Sequence, residues 1–124
     1  MIIHRLPFHE DDVLSVKLPT GEVFVPLKGI CSNIGLDWGG QSAKIRHPKW
    51  KRKILLLKAK DNSLQRTNCI PLNKLNAWLL SINSLKIRSD LRPKLEQYQN
   101  ECFDALNVYW KNPKQIIINI NQSK

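Results

Sequence analysis

Apolar positions along the chain switch between a period of two and a period of three to four, and each switch marks an element. Val13 to Lys17 alternates apolar with polar residues, Pro19-Thr20-Gly21-Glu22 supplies turn chemistry, and Val23-Phe24-Val25 is β-branched and aromatic, which predicts a β-hairpin. After Pro26, Leu27, Ile30, Cys31 and Ile34 follow helical spacing until Gly35 stops it. Asp37 is a good N-cap for a second helix from about Trp38 to His47, limited by Pro48. Lys53 to Lys58 and Leu64 to Ile70 flank Lys60-Asp61-Asn62-Ser63, a second strand, turn and strand. Pro71 opens a helix with Leu72, Leu75, Leu79 and Ile82 on one face and Trp78 beside them. Ser89 or Asp90 then caps a longer helix ending near Trp110, with Leu91, Leu95, Tyr98, Cys102, Leu106 and Tyr109 on one face and Pro93 tolerated in the first turn. Asn112-Pro113 breaks the pattern, and Gln115 to Ile120 is a β-prone tail. The expected fold is α+β, a single small domain of order ββααββαα over residues 1–110, followed by a tail over 111–124.

Length and composition narrow the class. A chain of 124 residues fits one domain, and 42% apolar with 24% charged residues is an ordinary globular mix. Apolar runs such as Ile54 to Leu57 and Ile116 to Ile118 fall far short of the roughly 20 residues of a membrane span. The N-terminus reaches Glu10-Asp11-Asp12 without a basic region and a sustained apolar stretch, so no membrane association or export is expected and the location is cytoplasmic. Cys31, Cys69 and Cys102 are odd in number and far apart, as expected of reduced thiols that serve as small buried hydrophobes.

Charge adds the functional signal. Twenty Lys and Arg against ten Asp and Glu give a net +10, and the excess is concentrated: Lys44 to Lys60 carries Lys44, Arg46, Lys49, Lys51, Arg52, Lys53, Lys58 and Lys60 with no acidic residue. Such clustering creates a local potential suited to phosphates, although a solvated face with no partner has the same composition. Two short helices joined by Gly35-Leu36-Asp37 have the form of a helix-turn-helix. The second presents Gln41, Ser42, Lys44 and Arg46, types able to reach base edges, and Lys49, Lys51, Arg52 and Lys53 follow as phosphate ligands. Gln41 can pair bidentately with adenine or simply brace the turn. Trp38 and Trp50, which bracket the stretch, can stack on bases or bury themselves in the core. Neither the three histidines nor Glu10-Asp11-Asp12 has metal-ligand spacing, and the acidic run reads as solvated. No cofactor, metal or catalytic set is expected. The spacing of the last helix fits a homodimer seam as well as closure of the monomer core.

Three ordered blocks carry a resemblance. Gly35-Leu36-Asp37-Trp38 with Gln41, Lys44-Ile45, His47-Pro48 and Trp50 form the first, and Pro71-Leu72 with Leu75, Ala77-Trp78-Leu79 and Ile82 the second. Ile87-Arg88, Asp90-Leu91-Arg92-Pro93, Leu95, Tyr98-Gln99, Glu101-Cys102, Leu106 and Tyr109-Trp110 form the third. Together, over about Asp12 to Trp110, they resemble the N-terminal domain of phage antirepressors, which is related to Bro-N domains. The resemblance implies a phage or prophage transcriptional regulator that binds DNA or engages a phage repressor protein. Such antirepressors usually continue into a C-terminal domain, whereas only Lys111 to Lys124 follows the matched helix here.

Overall fold

The computed structural model describes residues 1–59 and 61–111. Five strands form one sheet: β1 (Ile2–Phe8), β2 (Asp11–Lys17), β3 (Val23–Pro26), β4 (Lys53–Lys58) and β5 (Leu64–Pro71), in spatial order β1-β2-β3-β5-β4 with every pairing antiparallel. The helices are α1 (Lys28–Ile34), α2 (Trp38–Lys44), α3 (Leu72–Leu80) and α4 (Arg92–Lys111), with short 3₁₀ turns at Pro48–Trp50, Ser84–Lys86 and Ser89–Leu91. The fold is α+β in the expected order of elements, preceded by one strand that the pattern analysis did not assign.

That strand, β1, lies at the sheet edge, where Pro7 is tolerated because only one side of the strand must pair. Phe8 faces Asp11 in the register, so the chain reverses through His9-Glu10 alone, with His9 at φ 55°. A tight hairpin turn needs such a conformation, and histidine in place of glycine or asparagine gives no sequence signal for it.

The other boundaries follow local chemistry. Gly35 ends α1 with φ 97°, and its N–H and that of Leu36 both reach the Cys31 carbonyl at 2.8 Å. Asp37 caps α2 through a 3.4 Å hydrogen bond accepted from the Gly40 N–H. Helix α2 is shorter than expected, ending at Lys44. Beyond it the Arg46 and His47 N–H groups reach back three residues, to Ala43 and Lys44, so the approach to Pro48 tightens the last turn instead of prolonging the helix.

One core joins the sheet to the helices. Val13, Val25 and Ile70 from the strands meet Ile30 and Ile34 of α1, Leu75, Trp78 and Leu79 of α3, and Leu95, Tyr98, Cys102 and Leu106 of α4. The stripe on α4 is thus spent inside the domain, so its spacing serves the monomer core and supplies no homodimer seam. The β-prone tail, Gln115 to Ile120, lies outside the described residues. All three cysteines are buried, and burial pushes each thiol up to about 12, which keeps them protonated and unreactive at neutral pH.

The acidic run at the start of β2 is not simply solvated. Asp11 Oδ2 accepts hydrogen bonds from Tyr98 Oη and Lys94 Nζ, both at 2.8 Å, and Lys94 also reaches Glu10 Oε1 at 3.3 Å. Asn33 Nδ2 donates to Tyr98 Oη at 3.2 Å and to the Asp12 carbonyl at 3.1 Å, so α1, β2 and α4 are tied at one point. Burial pushes the Asp11 carboxyl upward, but hydrogen bonds from Lys94 and Tyr98 outweigh it and hold the group below its ordinary range. The hydrogen bond to Asp11 raises Lys94 against the opposing effect of desolvation.

This clamp predicts a pH profile. A lowered Asp11 contributes stability that is present above its unfolded value of about 3.9 and lost as pH falls through the folded one. A raised Lys94 contributes stability present below about 10.4 and lost as pH rises through its folded value. The urea midpoint of the wild type should therefore lose stability at both extremes, and Asp11→Asn should flatten both arms. Parallel profiles for the two proteins would rule the clamp out.

Candidate nucleic-acid interface

The basic stretch runs from the end of α2, through the 3₁₀ turn Pro48–Trp50, into β4. Two buried side chains pin it: Ile45 is fully inaccessible and Trp50 is 5% exposed. Trp50 therefore belongs to the core, and Trp38 packs partly against it. Neither indole is a free stacking platform. His47 caps the 3₁₀ turn, its Nδ1 accepting from the Lys49 N–H at 3.1 Å, and Pro48 needs no donor there. Lys51 then adopts a left-handed conformation, φ 55°, and turns the chain into β4.

Anchoring the backbone in this way throws the intervening cations outward. Arg46, Lys49, Lys51, Arg52 and Lys53 are all exposed, and none forms an ion pair among the described residues. Their stems are organised all the same. Lys49 Nζ lies 5.2 Å from the centroid of the Trp50 ring, Lys53 Nζ lies 5.4 Å from that of Phe24, and Arg52 Nη1 donates to Asn68 Oδ1 at 2.8 Å. The arrangement is a ridge of positive charge with partly fixed side chains.

The three candidates on α2 sit differently. Ser42 Oγ donates to the Gly39 carbonyl at 2.9 Å, and Lys44 Nζ donates to Ser81 Oγ at 2.7 Å, which ties α2 to the end of α3. Burial, together with Lys49 nearby, lowers the Lys44 ammonium below its ordinary range. Gln41 is half-buried, with its Oε1 withdrawn from solvent and without a partner among the described residues. What α2 shows to solvent is Gly39, Gly40 and Ala43, a face with no side chain able to read a base. The helix pair has the expected connection, but its second helix presents backbone where a recognition helix presents polar side chains.

The described residues hold no cluster of His, Cys, Asp and Glu suited to a metal, and no described helix is long and apolar enough to cross a membrane. A second concave feature, which sequence reasoning missed, is a cleft of about 560 Å³ between β2, α1 and the start of β5, with Arg5, Lys28, Trp38 and Arg66 among its walls.

Taken together, a small α+β domain with an ion-pair-free cationic ridge has the character of a binding domain. A family model for the P22_AR N-terminal domain matches residues 4–116, and the chain belongs to this family of antirepressor N-terminal, Bro-N-like domains. Membership supports a phage antirepressor-type role in a regulatory, non-enzymatic family. No curated protein and no solved structure matches the chain.

Proposed function

We propose that this domain binds DNA through the ridge formed by Arg46, Lys49, Lys51, Arg52 and Lys53, as part of phage transcriptional control. The observation that supports the reading is the exposure of these five cations on one anchored segment with no acidic side chain beside them in sequence. Phosphates are their natural ligands, since an extended row of unpaired charge gains most from releasing condensed counterions. Ser42 and Lys44 serve the helix and its junction with α3 in the free protein. Gln41 is the proposed base reader, and reaching a base edge requires its half-buried side chain to change rotamer.

A salt titration tests the proposal. With five phosphates neutralised, the logarithm of affinity for a mixed-sequence duplex should fall against the logarithm of salt with a slope of about −4.5. An affinity independent of salt would refute the reading.

The antirepressor-type role and one surface feature favour a second reading, capture of a phage repressor protein. Ile54, Leu56 and Leu64 are 41%, 54% and 62% exposed, and the β4–β5 register places them on one face of that ribbon. Co-purification with a repressor encoded beside the gene, with no duplex binding at low salt, would establish this reading in place of the first.

A further inference from the structure

Strand β3 stops early. It pairs with β2 only at Val16 and Lys17 and with β5 only from Cys69 to Pro71, because the chain leaves the sheet at Pro26 to begin α1. Strands β2 and β5 nevertheless continue past that point, held by β1 and β4 on their outer sides. Over residues 11–14 of β2 and 64–67 of β5, no described strand pairs with their inner edges. The gap lies where β3 would have continued. β3 itself fixes the separation of its two neighbours, so the gap is about one strand wide and about four residues, or ~13 Å, long.

This gap is the cleft of about 560 Å³. Helix α1 lies along it, contributing Gly29 and Lys28, and Trp38 adds an aromatic wall. Only parts of the two edges are spent internally: the Asp12 carbonyl accepts from Asn33 Nδ2, and the Asn68 carbonyl from the Leu27 N–H at 3.2 Å. Buried or half-buried strand edges with open backbone groups are templates for another strand. The surrounding charge is selective as well. Arg5 meets Asp12 at 3.8 Å, while Lys28, Lys58 and Arg66 line the cleft with no ion pair among the described residues.

We propose that the cleft receives an extended, acidic segment of a protein partner, which continues the line of β3 and runs antiparallel to both β2 and β5. Backbone hydrogen bonds to the two edges hold it, and acidic side chains facing Lys28, Lys58 and Arg66 select it. The chain's own residues 112–124 are a poor match, since they carry Lys114 and Lys124 and no acidic side chain. The site is separate from the DNA ridge, and the two stand or fall independently.

The full chain can be tested with a fluorescein-labelled octapeptide of alternating glutamate and valine, read by anisotropy. Two control peptides accompany it, one of alternating lysine and valine and one glutamate–valine peptide with central proline, which cannot donate to a strand edge. Gly29→Trp plugs the cleft: Gly29 has open space where a side chain would begin and lies on a helix that tolerates one. Lys28→Glu with Arg66→Glu, both at exposed positions, removes the charge selection without filling space.

Expected are binding of the acidic peptide, at least about tenfold weaker binding of both control peptides, and a similar loss in each variant. The Gly29→Trp protein should keep its thermal midpoint and its duplex DNA affinity. Equal binding of the acidic and basic peptides, or undiminished binding by Gly29→Trp, would overturn the proposal. So would displacement by an oligothymidine, which marks a nucleic-acid site, or stronger displacement by a peptide of residues 112–124, which assigns the slot to the chain itself.

Discussion

Tyr98→Ala is expected to destabilise the domain by about 4 kcal/mol, enough to leave a domain of ordinary stability close to unfolding. The ring is fully buried, packed 4.8 Å from Phe8 centroid to centroid among the α1, α3 and β-sheet side chains of the core. Truncation to a methyl group leaves a cavity that rigid neighbours cannot close, for which large aromatic residues typically cost about 3–5 kcal/mol. It also removes the hydroxyl that donates to Asp11 and accepts from Asn33. Tyr98→Phe separates the two contributions. It keeps the packing and loses only the hydroxyl, leaving Asp11 with Lys94 as its remaining donor, and should cost about 1–2 kcal/mol. Urea unfolding of the three proteins checks the order. Equal losses for Phe and Ala would mean that the hydroxyl alone carries the effect, against the packing argument.

Elements whose signal is local were legible in the sequence. The β4–β5 hairpin follows from its turn, where Ser63 Oγ and N–H both donate to Asp61 Oδ1 and Asn62 takes φ 68°. The end of α1 follows from Gly35, and the stripes of α3 and α4 follow from their periodicity. Features made by residues distant in the chain were not legible. The edge strand β1 is held by its register with β2 and by α4, where His4 stacks on Tyr109 at 3.6 Å, and none of those contacts leaves a mark in the sequence near Pro7. The acidic run reads as solvated because Lys94 and Tyr98, which engage it, lie more than 80 residues away.

The candidate site divides along the same line. A run of cations without acids is visible by inspection, and the five that project to solvent belong to it. Which members turn inward depends on how a seven-residue helix sits on the core. Trp38 and Ile45 fix the rotation of α2, and Gln41, Ser42 and Lys44 then fall on its half-buried side while Gly39, Gly40 and Ala43 face out. The cleft beside α1 had no signal at all, since it exists only because β3 is shorter than both of its neighbours in the sheet.

Replacing Arg46, Lys49, Lys51, Arg52 and Lys53 together by glutamine is expected to lower affinity for duplex DNA about 10⁴-fold at 0.1 M salt. The figure follows from counterion release: a slope of about −4.5 acts over the decade between 0.1 M and the 1 M reference at which that contribution vanishes. The variant's own slope should be close to zero, because the remaining Lys44 is bonded to Ser81. Folding should survive, as all five side chains are exposed and glutamine retains the aliphatic stem that covers Trp50 and Phe24. Circular dichroism and thermal midpoints establish that control, and titrations at several salt concentrations supply the slopes. Gln41→Ala should behave in the opposite manner, leaving the slope unchanged while altering the ranking of different duplex sequences. A five-residue variant that binds as the wild type does, with an unchanged slope, would move the DNA contact off this ridge altogether. Restoring Arg52 and Lys53 alone should recover about two-fifths of the lost slope, since each phosphate contributes about equally.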